Sequence, residues 1–376
     1  MDKEKNWQKF KIDLPHRKHP YSKRNWGNGL HSLCSYQGKM KPSLVHHLIN
    51  VFSKKNELVL DPFAGSGTTM FEASLQNRNS IGFDISKIAV AISNAKINNY
   101  NNKKIDLIIN DLNKYISNSE ISQKTKKDSI EVKFNKTLKE YYHPKTFKEI
   151  LLARDFFIKN FNIKSPEYCL ILSCMLHILH GNRPYALSRR SHPLTPYAPT
   201  GEFEYKNIIE KLKKKINLSI AHKQNENIVV GKSFIQDILK KWKVKDQSVD
   251  LILTSPPFAF STKFYINNWI RYWFGGWGIE DFEKESFNYL EKKQKKDFNV
   301  YDNIFSESKR VLKKDSHLVM HLGLSDKLDM GKILLPIAEK HLKVVDLFNE
   351  TVSHCEKHGI RDKGGIKEHQ YLILKS

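Results

Sequence analysis

Two short stretches of the chain combine residue types that can do chemistry. The first is Asp61-Pro62-Phe63-Ala64-Gly65-Ser66-Gly67-Thr68-Thr69, entered from the apolar run Leu58-Val59-Leu60. Gly65 and Gly67 let backbone approach a ligand closely, and a helix starting just after them offers unpaired N–H groups. Asp61 stands at the mouth of this turn, and a second carboxylate, Asp84, ends the next apolar stretch, Ser80-Ile81-Gly82-Phe83. A carboxylate there can accept both hydroxyls of a ribose. The full dinucleotide fingerprint wants a third glycine, and the phosphate loop wants a following Gly-Lys-Ser or Gly-Lys-Thr; neither is present. The second stretch is Thr254-Ser255-Pro256-Pro257-Phe258, entered from Asp250 and Leu251-Ile252-Leu253. Ser255 Oγ and the Pro256 carbonyl are acceptors for an amino group. Consecutive prolines, Pro256 and Pro257, stiffen the loop, and Phe258 offers a face on which a planar base can stack.

These residues have to be held by an α/β frame. Short apolar runs ending in polar residues read as buried parallel strands, whose carboxyl ends carry ligands in open sheets. The pattern gives strands at 57–61, 80–83, 227–230, 250–253 and 316–322, with closing strands at 344–347 and 371–374. Helices fall between them at 43–52, 67–76, 88–95, 234–242, 301–312 and 331–341, with an aromatic helical stretch at 263–275. The helix at 43–52 begins at Pro42 and carries the apolar stripe Leu44, Val45, Leu48, Ile49, Phe52. Residues 1–25, polar and broken by Pro15 and Pro20, read as an arm. Residues 26–100 and 226–376 read as one catalytic α/β unit, interrupted by a mostly helical insertion over 101–225. Within it, 117–148 is Lys-rich with little apolar periodicity, 149–180 has helical apolar spacing, 181–201 is a proline-bearing loop, and 204–221 is a basic helix.

A length of 376 residues is enough for a large core, and 63 basic against 40 acidic residues leave a net charge of +23. That balance favours a polyanionic partner, nucleic acid first, against the alternative of a Lys-rich solvated surface. The four cysteines, Cys34, Cys169, Cys174 and Cys355, lack metal-ligand spacing, and the histidines form no evident metal cluster. Without an apolar run of membrane length or a signal-peptide core, the expectation is a cytoplasmic protein away from membranes.

Together, the Asp61–Thr69 and Thr254–Phe258 motifs resemble those of the exocyclic-amino DNA methyltransferases, which use S-adenosylmethionine to methylate cytosine N4 or adenine N6. The resemblance implies a Rossmann-like methyltransferase sheet with helices on both faces. It implies cofactor contacts from Tyr36, Asp61, Pro62, Phe63, Ala64, Gly65, Gly67, Thr68, Asp84, Ile85 and Ser233, and no metal. Ser233 falls where the family borders the cofactor adenine, although the family often has Gly-Asp where this chain has Lys232-Ser233. Catalysis would rest on Ser255, Pro256, Pro257 and Phe258, acting on a base flipped out of double-stranded DNA. Ser-Pro-Pro-Phe in this family goes chiefly with cytosine N4, while Asp or Asn before Pro-Pro goes chiefly with adenine. Adenine N6, an RNA substrate and a catalytically silent DNA-binding subunit are the alternatives. Such enzymes usually protect host DNA from a partner restriction endonuclease.

The insertion is the expected target-recognition region. Its loop Arg183-Pro184-Tyr185-Ala186-Leu187-Ser188-Arg189-Arg190 interleaves arginine with aromatic and small residues. Arg183, Arg189 and Arg190 can pair with phosphate or read guanine. The Gly-rich basic segment 357–369, with Lys363 and His369, is a second candidate for DNA contact.

Overall fold

The computed structural model describes residues 2–23, 26–34, 38–134, 136–179, 185–189, 201–223, 227–259, 264–352 and 366–376. Seven strands form its main sheet: β1 (Leu58–Asp61), β2 (Asn79–Asp84), β3 (Lys232–Ile235), β4 (Val249–Thr254), β5 (Leu312–Ser325), β6 (Lys343–Thr351) and β7 (Ile366–Lys375). Their order is β3-β2-β1-β4-β5-β7-β6, and the short strand Leu328–Asp329 folds back onto the end of β5. β3 through β5 pair in parallel, while β7 inserts antiparallel between β5 and β6. The order reverses between β1 and β4, so the crevice at their carboxyl ends is the natural ligand site.

Helices cover both faces. α1 (Lys3–Asp13) and α2 (Pro42–Phe52) share a core with Val59, Leu251, Leu253, Val319, Tyr371 and Ile373. The helices Val300–Val311 and Met330–Ala338 cover the opposite face, over Leu60, Ile252, Leu318, Met320, Leu372 and Leu374. Alternating side chains along each strand divide between these two cores. α3 (Thr68–Leu75) and α4 (Lys87–Ile97) follow β1 and β2.

The insertion is helical. α5 (Asn102–Asn118), α7 (Pro144–Asn160), α8 (Pro166–Ile178) and α9 (Ile208–Ala221) share one core with α4 and with the aromatic helix Trp269–Phe274, and α6 (Gln123–Glu131) attaches to α7 through Asp128 and Arg154. α5 occupies a stretch whose stripe, Ile105, Ile108, Ile109 and Leu112, has helical spacing that the surrounding charge obscures.

Three expectations are corrected. The strand placed at 227–230 lies instead at Lys232–Ile235, where Gly82 pairs with Ser233 and Phe83 with Phe234. Val229 and Val230 precede it, and Val230 is half exposed. The helix placed at 234–242 does not form. Phe234 and Ile235 belong to the edge strand, and Asp237 Oδ1 accepts the Leu239 N–H in a local turn that competes with helix. Finally, the first residues are not merely an arm. α1 is capped by Asp2 and buries Trp7 and Phe10 completely against the sheet.

Trp7 anchors that contact. Its ring lies 5.3 Å from Phe10, 5.8 Å from Phe52 and 5.9 Å from both Phe348 and Tyr371, and its indole N–H donates to Asp346 Oδ2 at 2.8 Å. Trp7→Ala is therefore expected to lower unfolding free energy by about 3–5 kcal/mol, the cost of a large buried aromatic. Urea denaturation checks this, and a loss under about 1 kcal/mol would mean that α1 is dispensable to the fold.

Candidate active site

Parallel pairing of β1 with β4 sets Val59 opposite Leu251 and Leu60 opposite Ile252, which brings the two sequence motifs to the same sheet edge. Thr254 Oγ1 closes the junction by donating to Asp61 Oδ1 at 2.6 Å, with both side chains buried. Asp61 Oδ1 also accepts the Phe63 N–H at 3.0 Å, fixing the start of the glycine turn. The turn continues with Gly67 N–H donating to Ala64 O at 2.7 Å. Gly67 sits at φ +75°, and a Cβ there would lie 2.4 Å from Ser93 Oγ on α4. Its glycine character thus serves backbone conformation and close helix packing together. The turn is held from below by Lys96, fully buried, whose Nζ donates to Ser66 O at 2.7 Å. Burial holds this ammonium far below its usual range.

Asp84 closes the far side. Its Oδ2 accepts Gly65 N–H at 3.0 Å and its Oδ1 accepts Ser86 N–H at 2.7 Å, so the carboxylate spans the turn and the head of α4. Burial raises both Asp61 and Asp84 to about 6, against the pull of the hydrogen bonds they accept. Neither forms an ion pair among the described residues. Two desolvated carboxylates at neighbouring strand ends suit a cationic ligand that also carries hydroxyl donors. The buried hydroxyls Ser66 Oγ, Thr68 Oγ1 and Ser233 Oγ have no partner among the described residues, which adds unused polar capacity around the turn. Pro62 and Ala64 are buried, while Phe63 and Ile85 are half-buried. Asn94 brackets Ser233, accepting its N–H at 3.1 Å and donating to its carbonyl at 3.2 Å. Tyr36 lies outside the described residues.

The Pro-Pro loop leaves β4 directly. Register places Thr254 beside Met320, so Ser255 comes level with His321 on β5, and its Oγ lies 3.3 Å from His321 Nδ1. Gln294 Nε2 donates to Pro257 O at 2.9 Å and is itself held by Tyr301 OH, at 2.8 Å. Ala259 N–H meets Met330 Sδ at 3.3 Å. Phe258 stacks over Gly323, where a Cβ would come within 2.7 Å of Phe258 Cδ2. Its ring lies 5.6 Å from His321 and 6.4 Å from His369. The structure therefore gathers Asp61, the glycine turn, Asp84, Ser255, Pro256, Pro257, Phe258 and His369 at one end of the sheet.

Of the expected DNA contacts, Arg183, Arg190 and Lys363 fall outside the described residues. Arg189 lies in the insertion with its guanidinium 3.6 Å above the Phe203 ring, and His369 lies beside Phe258 of the Pro-Pro loop. Sequence reasoning missed Lys96, Gln294, Tyr289 and His321, and gave Thr254, the first residue of the second motif, no role. Tyr289 OH donates to Tyr272 OH at 3.2 Å, and burial together with the nearby Tyr272 and Asp84 raises its hydroxyl. No sequence pattern flags Tyr289, whereas Thr254 stands inside the motif already singled out. Among the described residues there is no group of His, Cys, Asp and Glu able to hold a metal ion.

The strand order, with its antiparallel penultimate strand, and the glycine turn at the end of β1 give a Rossmann-like α/β sheet. The family model described as DNA methylase, covering N6 and N4 methylases, matches residues 3–95. The type II methyltransferase M.MjaII of Methanocaldococcus jannaschii is 30% identical over 145 residues, covering 38% of this chain and 27% of that protein. M.MthZI of Methanothermobacter thermautotrophicus is 30% identical over 112 residues, 28% of this chain and 31% of its own. M.HindIII of Haemophilus influenzae is 42% identical over 76 residues, covering 18% and 25%. The chain spans between 25% and 31% of the length of these three curated relatives. Over these segments the chain is similar to DNA methylases, under a family model that covers both N6 and N4 methylation.

The raised carboxylates give a signed pH prediction. A carboxyl whose folded value of about 6 lies above its ordinary 3.8 disfavours folding once it is ionised. Asp61→Asn keeps an acceptor for Thr254 and Phe63 but removes the charge. In the ligand-free protein it should stabilise at pH 8, with the gain shrinking as pH falls through 6 and vanishing below 3.8. Urea titrations of both proteins across this range measure the difference. A pH-independent difference would show that Asp61 is not strained by its ionisation.

Proposed function

We propose that the protein is a site-specific DNA methyltransferase that methylates the exocyclic N4 of a flipped cytosine. The observation that carries this reading is the 2.6 Å Thr254–Asp61 bond, which welds the Ser-Pro-Pro-Phe loop to the glycine turn. S-adenosylmethionine, when bound, supplies an electrophilic methyl group on a sulfonium. Asp84 would accept the ribose hydroxyls, and Asp61 would face the cofactor's amino-acid end. Ser255 Oγ and the Pro256 carbonyl would accept the two amino protons of the base. That draws nitrogen's lone pair out of ring conjugation as it attacks. Phe258, set on Gly323, would stack on the base, and Gln294 would keep the loop from relaxing away from it.

The choice of cytosine rests on Ser255 where adenine enzymes usually carry Asp or Asn. The choice of DNA rests on the net charge of +23 and on the relatives. The helices of 101–225 would carry target recognition, with Arg189 among the contacts and Arg183, Arg190 and Lys363 as further candidates. Tyr36 would complete the cofactor site. The natural partner would be double-stranded DNA, with a cognate restriction endonuclease sharing the target sequence. No described helix is long and apolar enough to cross a membrane, and the proposed setting is the cytoplasm.

Two measurements test this. Nucleoside mass spectrometry of DNA from cells expressing the protein should find 4-methylcytosine; 6-methyladenine alone would reject the base and keep the chemistry. Ser255→Ala should cut single-turnover methyl transfer by about 100-fold or more, the usual effect of losing a transition-state hydrogen bond, with DNA and cofactor affinities nearly intact. Near-normal transfer would mean that the Pro256 carbonyl suffices.

A further inference from the structure

His321 is the buried polar group of the site that the reading above leaves unused. It is 5% exposed, on β5, with its Nδ1 3.3 Å from Ser255 Oγ. Among the described residues it is the one hydrogen-bond partner of that hydroxyl. Aromatic rings enclose it: His369 at 4.6 Å, Tyr371 at 5.4 Å and Phe258 at 5.6 Å. The nearest acid, Glu350, is already engaged by His16 Nε2 at 2.8 Å, by Arg17 and by Tyr371 OH. Burial, with His369 alongside, lowers the imidazole well below the usual histidine range and so favours the neutral ring.

A neutral imidazole has one N–H and one lone pair, so the contact with Ser255 has two possible senses. With hydrogen on Nδ1, the ring donates to Oγ. The serine hydrogen is then free to point at the incoming base, donor against donor. With hydrogen on Nε2, Nδ1 accepts the serine hydrogen, and Oγ turns its lone pairs toward the base. Only the second sense makes Ser255 an acceptor for an amino group, and donating its own hydrogen strengthens that acceptor.

We propose that His321 is a positioning residue that takes the Ser255 hydroxyl hydrogen at Nδ1 and so fixes Ser255 as the acceptor for the substrate amine. The proposal rests on the amino-methyltransferase reading. It adds a specific partner that acts through Ser255 without touching substrate. Its buried Nε2, without a partner among the described residues, is consistent with an N–H turned toward the surrounding rings.

Nitrogen NMR on isotope-labelled full-length protein gives a test that needs no substrate. The His321 ring should carry its hydrogen on Nε2, and its Nδ1 resonance should shift in Ser255→Ala. A hydrogen on Nδ1 overturns the proposal. Kinetics supply the second arm. His321→Phe keeps a ring in the cavity but removes the acceptor. It should slow single-turnover methylation by about 100-fold, while affinities for S-adenosylmethionine and a target duplex stay within about threefold. His321→Asn restores an acceptor near Nδ1 and should recover at least about tenfold of that loss. Ser255→Ala/His321→Phe should be no slower than Ser255→Ala alone, because both changes remove one interaction. Wild-type rates in His321→Phe, or additive losses in the double variant, reject the role. If the wild-type protein leaves DNA unmethylated, the functional reading fails, and the NMR result still decides the hydrogen-bond sense.

Discussion

A hydrogen bond of 2.6 Å between Thr254 and Asp61 joins the two halves of the site, and it exists because β1 and β4 are parallel neighbours. Parallel strands cannot be joined by a tight turn. Here the connection between them contains β2, α4, the whole helical insertion and β3. The insertion can therefore be large without disturbing the junction, because both its ends return to the same side of the sheet. Asp61 is held ionisable but strained in this position, and the same is true of Asp84 beside it. The sheet thus brings two carboxyl groups together at the ends of neighbouring strands.

The Pro-Pro loop depends on the opposite flank. β5 carries His321 and Gly323 on the face covered by α1 and α2, and β7 runs beside it with Tyr371 and His369 in register with those residues. Above them, the N-terminal segment returns to the sheet. His16 and Arg17 close on Glu350, and Lys41 Nζ donates to His16 O at 2.7 Å. The buried Glu350 is held well below the usual carboxylate range by these partners, although burial alone would raise it. Tyr371 joins this network to His321 beneath Ser255, so a chain segment far from either motif packs around the loop.

On the other flank, buried cations tie the helices of the insertion to one another, to the aromatic helix and to α4. Arg154 of α7 is fully buried and donates to Asp128 at 2.6 Å and to the Trp273 carbonyl at 2.7 Å. Lys223, after α9, donates to Lys96 O at 3.1 Å, and burial lowers it to about 7. Removing one member of such a pair would strand a buried charge, a larger cost than the pair's net contribution. The insertion shares its core with α4, which itself packs on the glycine turn through Ser93 and Lys96.

The strands β1, β2 and β4, the glycine turn, Asp84 and the Pro-Pro loop were legible in the sequence, because each depends on local chemistry. Apolar runs of strand length, glycine at positive φ and proline stiffness act over a few residues. The Lys-rich stretch around α5 concealed a helix whose apolar stripe is sparse, and the edge strand β3 was misplaced because neither face nor propensity strongly sets its register. Tertiary structure alone decided what touches what. That Thr254 reaches Asp61, that His321 meets Ser255, that Glu350 receives His16 and that Lys96 holds Ser66 all follow from strand order and register. Sequence spacing carries no record of these, since the partners lie on elements brought together only when the sheet closes.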